Sequence, residues 1–198
     1  MEVSQQSKIE DMSTALKKAF DPYFDAPKQA WFEFAELCQE IEFPKEFILK
    51  KAHESERFFY FILKGSMGVF LWKDNNPVCL DFAFENHFIG DYMSILTGAP
   101  TPLEIKTLDA STVYRISRDN YLQLGQTEIG NTLMRIAAES SFISKQQQQI
   151  DLLTKSAKQR YEELSLHFPQ IELRVAQKYV ASYLGITPQS LSRLRKLS

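Results

Sequence analysis

The chain has 198 residues, 44% of them apolar and 13% aromatic, and carries a net charge of −2, which is ample for a packed core in a soluble, globular protein. No window approaches eighteen uninterrupted apolar residues, and the leading MEVSQQSKIEDMSTALKK lacks the basic-then-apolar order of a secretory signal, so a cytoplasmic protein with no membrane partner is expected. Cys38 and Cys79 are far apart and match no C-x-x-C spacing, which excludes a zinc site and a cysteine-ligated iron–sulfur cluster and leaves two buried thiols.

In chain order, helical spacing comes first. Ile9, Met12, Leu16 and Phe20 share one face of a segment from Ile9 to Phe24, and Trp31, Phe34, Ala35 and Cys38 share one face of a second from Pro27 to Cys38. The period then changes to two. Ile41–Phe43, Phe47–Lys51, Phe58–Leu63, Met67–Trp72, Val78–Phe84, Leu103–Leu108 and Thr112–Ile116 are short and rich in aromatic and β-branched residues. Turn signals separate them: Lys64-Gly65, Asp74-Asn75-Asn76-Pro77, Gly98-Ala99-Pro100 and Asp109-Ala110-Ser111. This spacing points to an antiparallel sandwich or roll rather than a βαβ fold. A roll can also be a cupin-like metal enzyme, but that chemistry needs two or three histidines and a carboxylate on one metal. His53, His87 and His167 form no H-x-H pair, and His167 lies outside the roll, so no metal, no catalytic residue and no enzyme activity are expected.

After Ile116 the strand pattern stops. Ser117 reads as the cap of a short helix, Arg118 to Leu124, and beyond Gly125 a long helix starts near Thr127. Ile129, Ile136, Ile143, Ile150 and Ala157 recur every seven residues, with Leu133, Leu153 and Tyr161 between them. That heptad seam, flanked by Glu139, Lys145 and Gln146 to Gln149, meets either its own copy in a homodimer or the surface of its own domain. From Lys155 onward eight basic residues face three acidic ones, an asymmetry that suits a polyanionic partner.

The last segment, LRVAQKYVASYLGITPQSLSRLRKLS, holds the most specific pattern. Val175, Tyr179 and Val180 give a first helix its apolar face, and Leu184-Gly185-Ile186 makes a tight turn. Thr187 caps a second helix with Pro188 at its first position, where a missing N–H costs nothing. Leu191 and Leu194 face inward, leaving Gln189, Ser190, Arg193 and Lys196 outward, the helix-turn-helix arrangement whose second helix enters the major groove.

This order of parts resembles the family of bacterial regulators typified by the cyclic AMP receptor protein and the anaerobic regulator FNR. The resemblance rests on FYFILKGSMGVF (Phe59 to Phe70), FIGD (Phe88 to Asp91) and QKYVASYLGITPQSLSRLRK (Gln177 to Lys196), the last similar to segments of Bacteroidetes members. It implies an α+β fold: N-terminal helices and an antiparallel, jelly-roll-like β-roll as sensor domain over residues 1–126, a dimerisation helix over 127–154, and a small all-α helix-turn-helix domain over 155–198, without an evident β-wing. It further implies a dimeric transcriptional regulator whose partners are DNA with a palindromic operator, RNA polymerase and a small-molecule effector of unspecified chemistry. Gln189, Ser190 and Arg193 would read bases, and Lys178, Thr187, Arg195 and Lys196 would meet phosphates. The dimer seam would be Ile129, Leu133, Ile136, Ile143, Ile150 and Leu153. The alternative is an effector-binding roll with a non-DNA partner.

In the family, the loop FIGDYMSILTGAPTPLEIK is a phosphate-binding cassette built on a Gly-Glu pair and an Arg. Here the pair is Gly90-Asp91, and Thr101-Pro102 stands where the Arg and its neighbour would be, while Ser140 and Ser141 of the long helix are either ligand-side residues or plain coiled-coil surface. Losing charge-assisted bonds worth about 1.5–3 kcal/mol apiece implies that cyclic AMP is not held in the usual way.

Overall fold

The computed structural model describes residues 2–73 and 76–196; the turn read at Asp74 and Asn75 and the end of the chain at Ser198 lie outside the described residues. Two helices lead, α1 (Glu2–Phe20) and α2 (Lys28–Glu36). The first stops short of the expected Phe24 because Pro22 disfavours the helical conformation in the residue before it. Met12, Leu16, Phe20, Trp31 and Phe34 pack together with Phe61, Tyr114 and Ile116 of the sheet behind them.

Eight strands follow: β1 (Cys38–Phe43), β2 (Ile48–Lys50), β3 (Phe58–Lys64), β4 (Met67–Lys73), β5 (Asn76–Ala83), β6 (Phe88–Ile89), β7 (Leu103–Thr107) and β8 (Ser111–Ser117). They form two four-stranded antiparallel sheets, ordered β1-β8-β3-β6 and β2-β7-β4-β5. Because all paired neighbours except β4 and β5 are distant in sequence, the strands wind as a roll. Side chains alternate across each strand, so Tyr60, Ile62, Met67, Val69, Ile105 and Val113 meet between the sheets as one cluster. β6 is too short for a period-two signal and was not legible as a strand. β5 is an edge strand, and its register with β4 slips between Val69 and Phe70, a bulge that twists the edge.

The remaining elements are helical: α3 (Tyr92–Thr97), α4 (Arg118–Leu124), α5 (Glu128–Thr154), α6 (Ala157–His167), α7 (Ile171–Arg174), α8 (Gln177–Tyr183) and α9 (Pro188–Lys196). Ser117 caps α4 and Thr127 caps α5, each accepting a backbone N–H from its first turn. The chain extends at Lys155, and Ser156 with Gln159 forms a capping box that starts α6 in a new direction.

The heptad seam divides along α5. A straight helix drifts about 20° per heptad against a seven-residue repeat. Ile129 and Ile136 are accordingly half-buried, whereas Ile143 is 67% and Leu153 81% exposed. Leu133, expected in the dimer seam, is instead 2% exposed inside its own domain's core, packed with Tyr121 and Leu124, with neighbouring Ile129 on the same face packed against that core. Phe142, Ile143, Ile150 and Leu153 form the exposed apolar stripe.

Candidate nucleic-acid interface and ligand cassette

Helices α8 and α9 form the expected pair. Gly185 between them adopts a left-handed φ of 69°, which a glycine takes without steric cost. The Ile186 amide donates back to the carbonyl of Ala181 at 3.0 Å and closes the turn. Thr187 Oγ1 accepts the Ser190 N–H at 3.2 Å and caps α9. Leu191, fully buried, anchors the helix.

Successive residues of a helix are about 100° apart, so Gln189, Arg193 and Lys196 fall in one stripe, and all three are exposed. Lys178 is exposed on α8, its ammonium over the Tyr179 ring. Two expected contacts sit differently. Arg195 lies on the flank beside Leu191 and pairs at 2.7 Å with Glu172, which also accepts the Tyr161 hydroxyl. Ser190 is half-buried, with its hydroxyl 3.0 Å from that of Thr187, and belongs to the cap rather than to the open stripe.

The cassette is closed by its own chain. Gly90 lies so near the ring of Phe59 that an added Cβ would sit 2.6 Å from it, which accounts for the glycine without any ligand. Asp91 caps α3, its Oδ1 accepting the Ser94 N–H at 3.0 Å. Its Oδ2 accepts the Thr101 hydroxyl and pairs with Lys50 Nζ at 3.0 Å. Lys50 arrives from β2, and its other donors reach Thr101 Oγ1 at 3.0 Å and the Leu103 carbonyl at 2.6 Å. An ammonium has three donors, and all three are used. Both charges are dry, at 2% side-chain exposure for Lys50 and 0% for Asp91.

Glu56 completes the network from the preceding loop. It accepts the amides of Arg57, Phe58 and Asp91, while its own amide donates to Ser94 Oγ. Burial pushes the Glu56 carboxyl above the usual range, against the opposing pull of those amides and of Lys50. Main-chain bonds from His53 to Thr101 and from Thr101 to Glu54 zip that loop to the cassette, and Pro102 is left exposed at its rim. Sequence reading missed Lys50. A lysine at an inward position of a short strand was its only local signal, and the pairing of β2 with β7 across more than fifty residues is what delivers it. Lys106, the nearest cation in sequence, points away to Glu46 and Tyr179.

Ser140 and Ser141 are exposed and line a different space, a cleft of about 730 Å³ walled by α5, α6 and the β5–β6 turn. None of Gly90, Asp91, Thr101 and Pro102 lines it. Among the described residues no group of three or more His, Cys, Asp or Glu side chains is placed to hold a metal ion, and no helix is long and apolar enough to cross a membrane.

Residues 40–128 match the cyclic nucleotide-binding domain family. The matched stretch runs from within β1 through the whole roll and cassette to the first residue of α5. No curated protein matches the sequence. Among solved structures, FixK2 from Bradyrhizobium japonicum superposes with a TM-score of 0.71 at 15% identity, covering 81% of this chain and 83% of that one. The c-di-GMP responsive global regulator CLP of Xanthomonas campestris gives 0.64 at 16% identity, over 86% of this chain and 90% of its own. CooA from Carboxydothermus hydrogenoformans gives 0.64 at 16%, over 91% and 82%. At these identities the likeness is one of fold.

Proposed function

We propose that the chain is a dimeric, sequence-specific DNA-binding transcriptional regulator of the Crp/Fnr type. The observation that carries this reading is the exposed stripe of Gln189, Arg193 and Lys196 on a helix fixed by buried Leu191 behind a Thr187 cap. Gln pairs in bidentate fashion with adenine and Arg with guanine, while Lys178 and Lys196 meet phosphates. Thr187 presents the start of α9 to the backbone, and Arg195 also holds α9 against α7 through Glu172.

A second copy would cover Phe142, Ile143, Ile150 and Leu153 and set two recognition helices facing one palindromic operator. The solved structures of similar fold support the regulator reading, since one is named a global regulator. RNA polymerase is the further partner such a regulator requires, and an effector would act through the roll. The filled cassette supports the view that cyclic AMP is not that effector, since an entering anion would have to displace Asp91 from Lys50.

Operators are identified by selecting bound duplexes from random DNA. The parent protein should enrich a palindrome. Arg193→Ala should lose discrimination at one base pair of each half-site, and an Arg193→Ala protein that selects the parental sequence unchanged overturns the assignment.

A further inference from the structure

The helical domain does not hang free on α5; it is docked on the edge of the roll. Phe70, Cys79, Phe82 and Phe84 of the roll share one buried cluster with Tyr161, Leu164, Tyr179, Val180 and Leu184. The edge strand β5 has lost ladder partners at its bulge, and the helices satisfy them: the Cys79 N–H donates to Ser182 Oγ at 2.9 Å, and Gln148 donates to the Leu80 carbonyl at 3.2 Å.

At the rim of this contact sits Arg174, the last residue of α7. Its two terminal nitrogens grip the Glu85 carboxylate at 2.8 and 2.7 Å, one of them also reaching the Gly65 carbonyl at 2.8 Å. Its Nε lies 3.7 Å from Asp109, and its plane lies over the Phe84 ring, 4.7 Å from the centroid. A bidentate, stacked guanidinium of this kind is directional in a way a lysine is not. Glu85 belongs to the turn that leads through β6 to Gly90 and Asp91, so one short stretch of chain joins the cassette to the latch.

We infer that Arg174 is a latch that holds the DNA-reading domain docked on the roll, and that movement of that domain about Lys155 begins with release of Glu85. The apolar cluster supplies area without orientation, whereas the Arg174 fork fixes a single angle. The inference does not depend on the DNA reading, because the docked and released states differ in solvent access whatever the helices bind.

Cys79 reports the state directly. Its thiol is buried within the shared cluster, while Cys38 sits in the other sheet, at the start of β1. The rate of maleimide labelling of each thiol is measured on the full chain at neutral pH, with Cys38→Ser and Cys79→Ser variants separating the two signals. Arg174→Met and Glu85→Gln should each speed Cys79 labelling by about tenfold or more, as expected for losing a bidentate charge-assisted contact, with Cys38 unchanged. The double variant should be no faster than the singles, and the exchanged pair Glu85→Arg with Arg174→Glu should recover part of the protection. Unchanged Cys79 labelling in the single variants overturns the inference, and so does a parallel rise at Cys38, which would mark general loosening instead of undocking.

Discussion

Lys50 places a full charge where water does not reach, and the whole cassette is arranged around it. Lys50→Met leaves the Asp91 carboxylate buried without its cation, so it should cost about 3–5 kcal/mol of stability, read from urea unfolding. Thr101→Val removes a donor to the same oxygen and should cost about 1–3 kcal/mol. Glu85 behaves differently because it is partly exposed. The Arg174 guanidinium holds its carboxyl at about 2, below the usual 4.5. A depressed folded value means that the stabilisation is fully present above pH about 4.5 and is lost as pH falls from there towards about 2. The other groups facing that carboxylate are the Gly65 amide, and Asp109 across the guanidinium. Thermal unfolding followed between pH 5 and 2.5 should therefore show a steeper loss for the parent than for Glu85→Gln. Both cysteines are pushed up to about 12 by burial, so neither is a thiolate at neutral pH. Of these residues the sequence exposed Gly90, Asp91 and Thr101 by motif, but it did not expose Lys50, Glu56 or Glu85. Each takes at least one deciding partner from twenty to about ninety positions away, which no local spacing encodes.

At the scale of elements, periodicity was a good guide wherever a segment had one partner surface. The strands of the roll, α4 with its Ser117 cap, and the α8–α9 turn all follow from local patterns. Short pieces such as β6 and α3 do not, since two to six residues cannot display a period and their form comes from packing on β3 and the Asp91 cap. The long helix is the instructive case. Its seven-residue repeat suggested one continuous seam, yet an undistorted helix turns that repeat slowly away from the roll, so one end is core and the other is open. This division is testable. Leu133→Ala should destabilise the fold by about 2–5 kcal/mol without a specific effect on association. Leu153→Asp and Ile150→Asp should leave unfolding of the monomer nearly unchanged and abolish self-association in sedimentation equilibrium. Equal effects of both classes on association would contradict the division.

At the scale of the molecule, three charged arrangements define how the parts are held. The Lys50–Asp91 pair closes the cassette, the Arg174–Glu85 fork docks the helical domain, and Lys106 ties Glu46 on the roll to Tyr179 of α8 while lying over the Phe70 and Tyr179 rings. Burial draws the Lys106 ammonium down, but its bonds to Tyr179 and Glu46 outweigh that and leave it raised, so the tie stays charged throughout the neutral range. A ligand shifts such a system only by binding one arrangement better than another, and in this chain the usual ligand position is already filled. The proposal that the open face of α9 reads DNA as a dimer is tested by binding of the full chain to a selected palindromic duplex across a salt series. Two chains should bind per duplex, with an affinity that falls linearly in log–log form with salt and a slope reduced by about one for each half-site when Lys196 is changed to Ala. A folded dimer that retains no duplex even at low salt would contradict it.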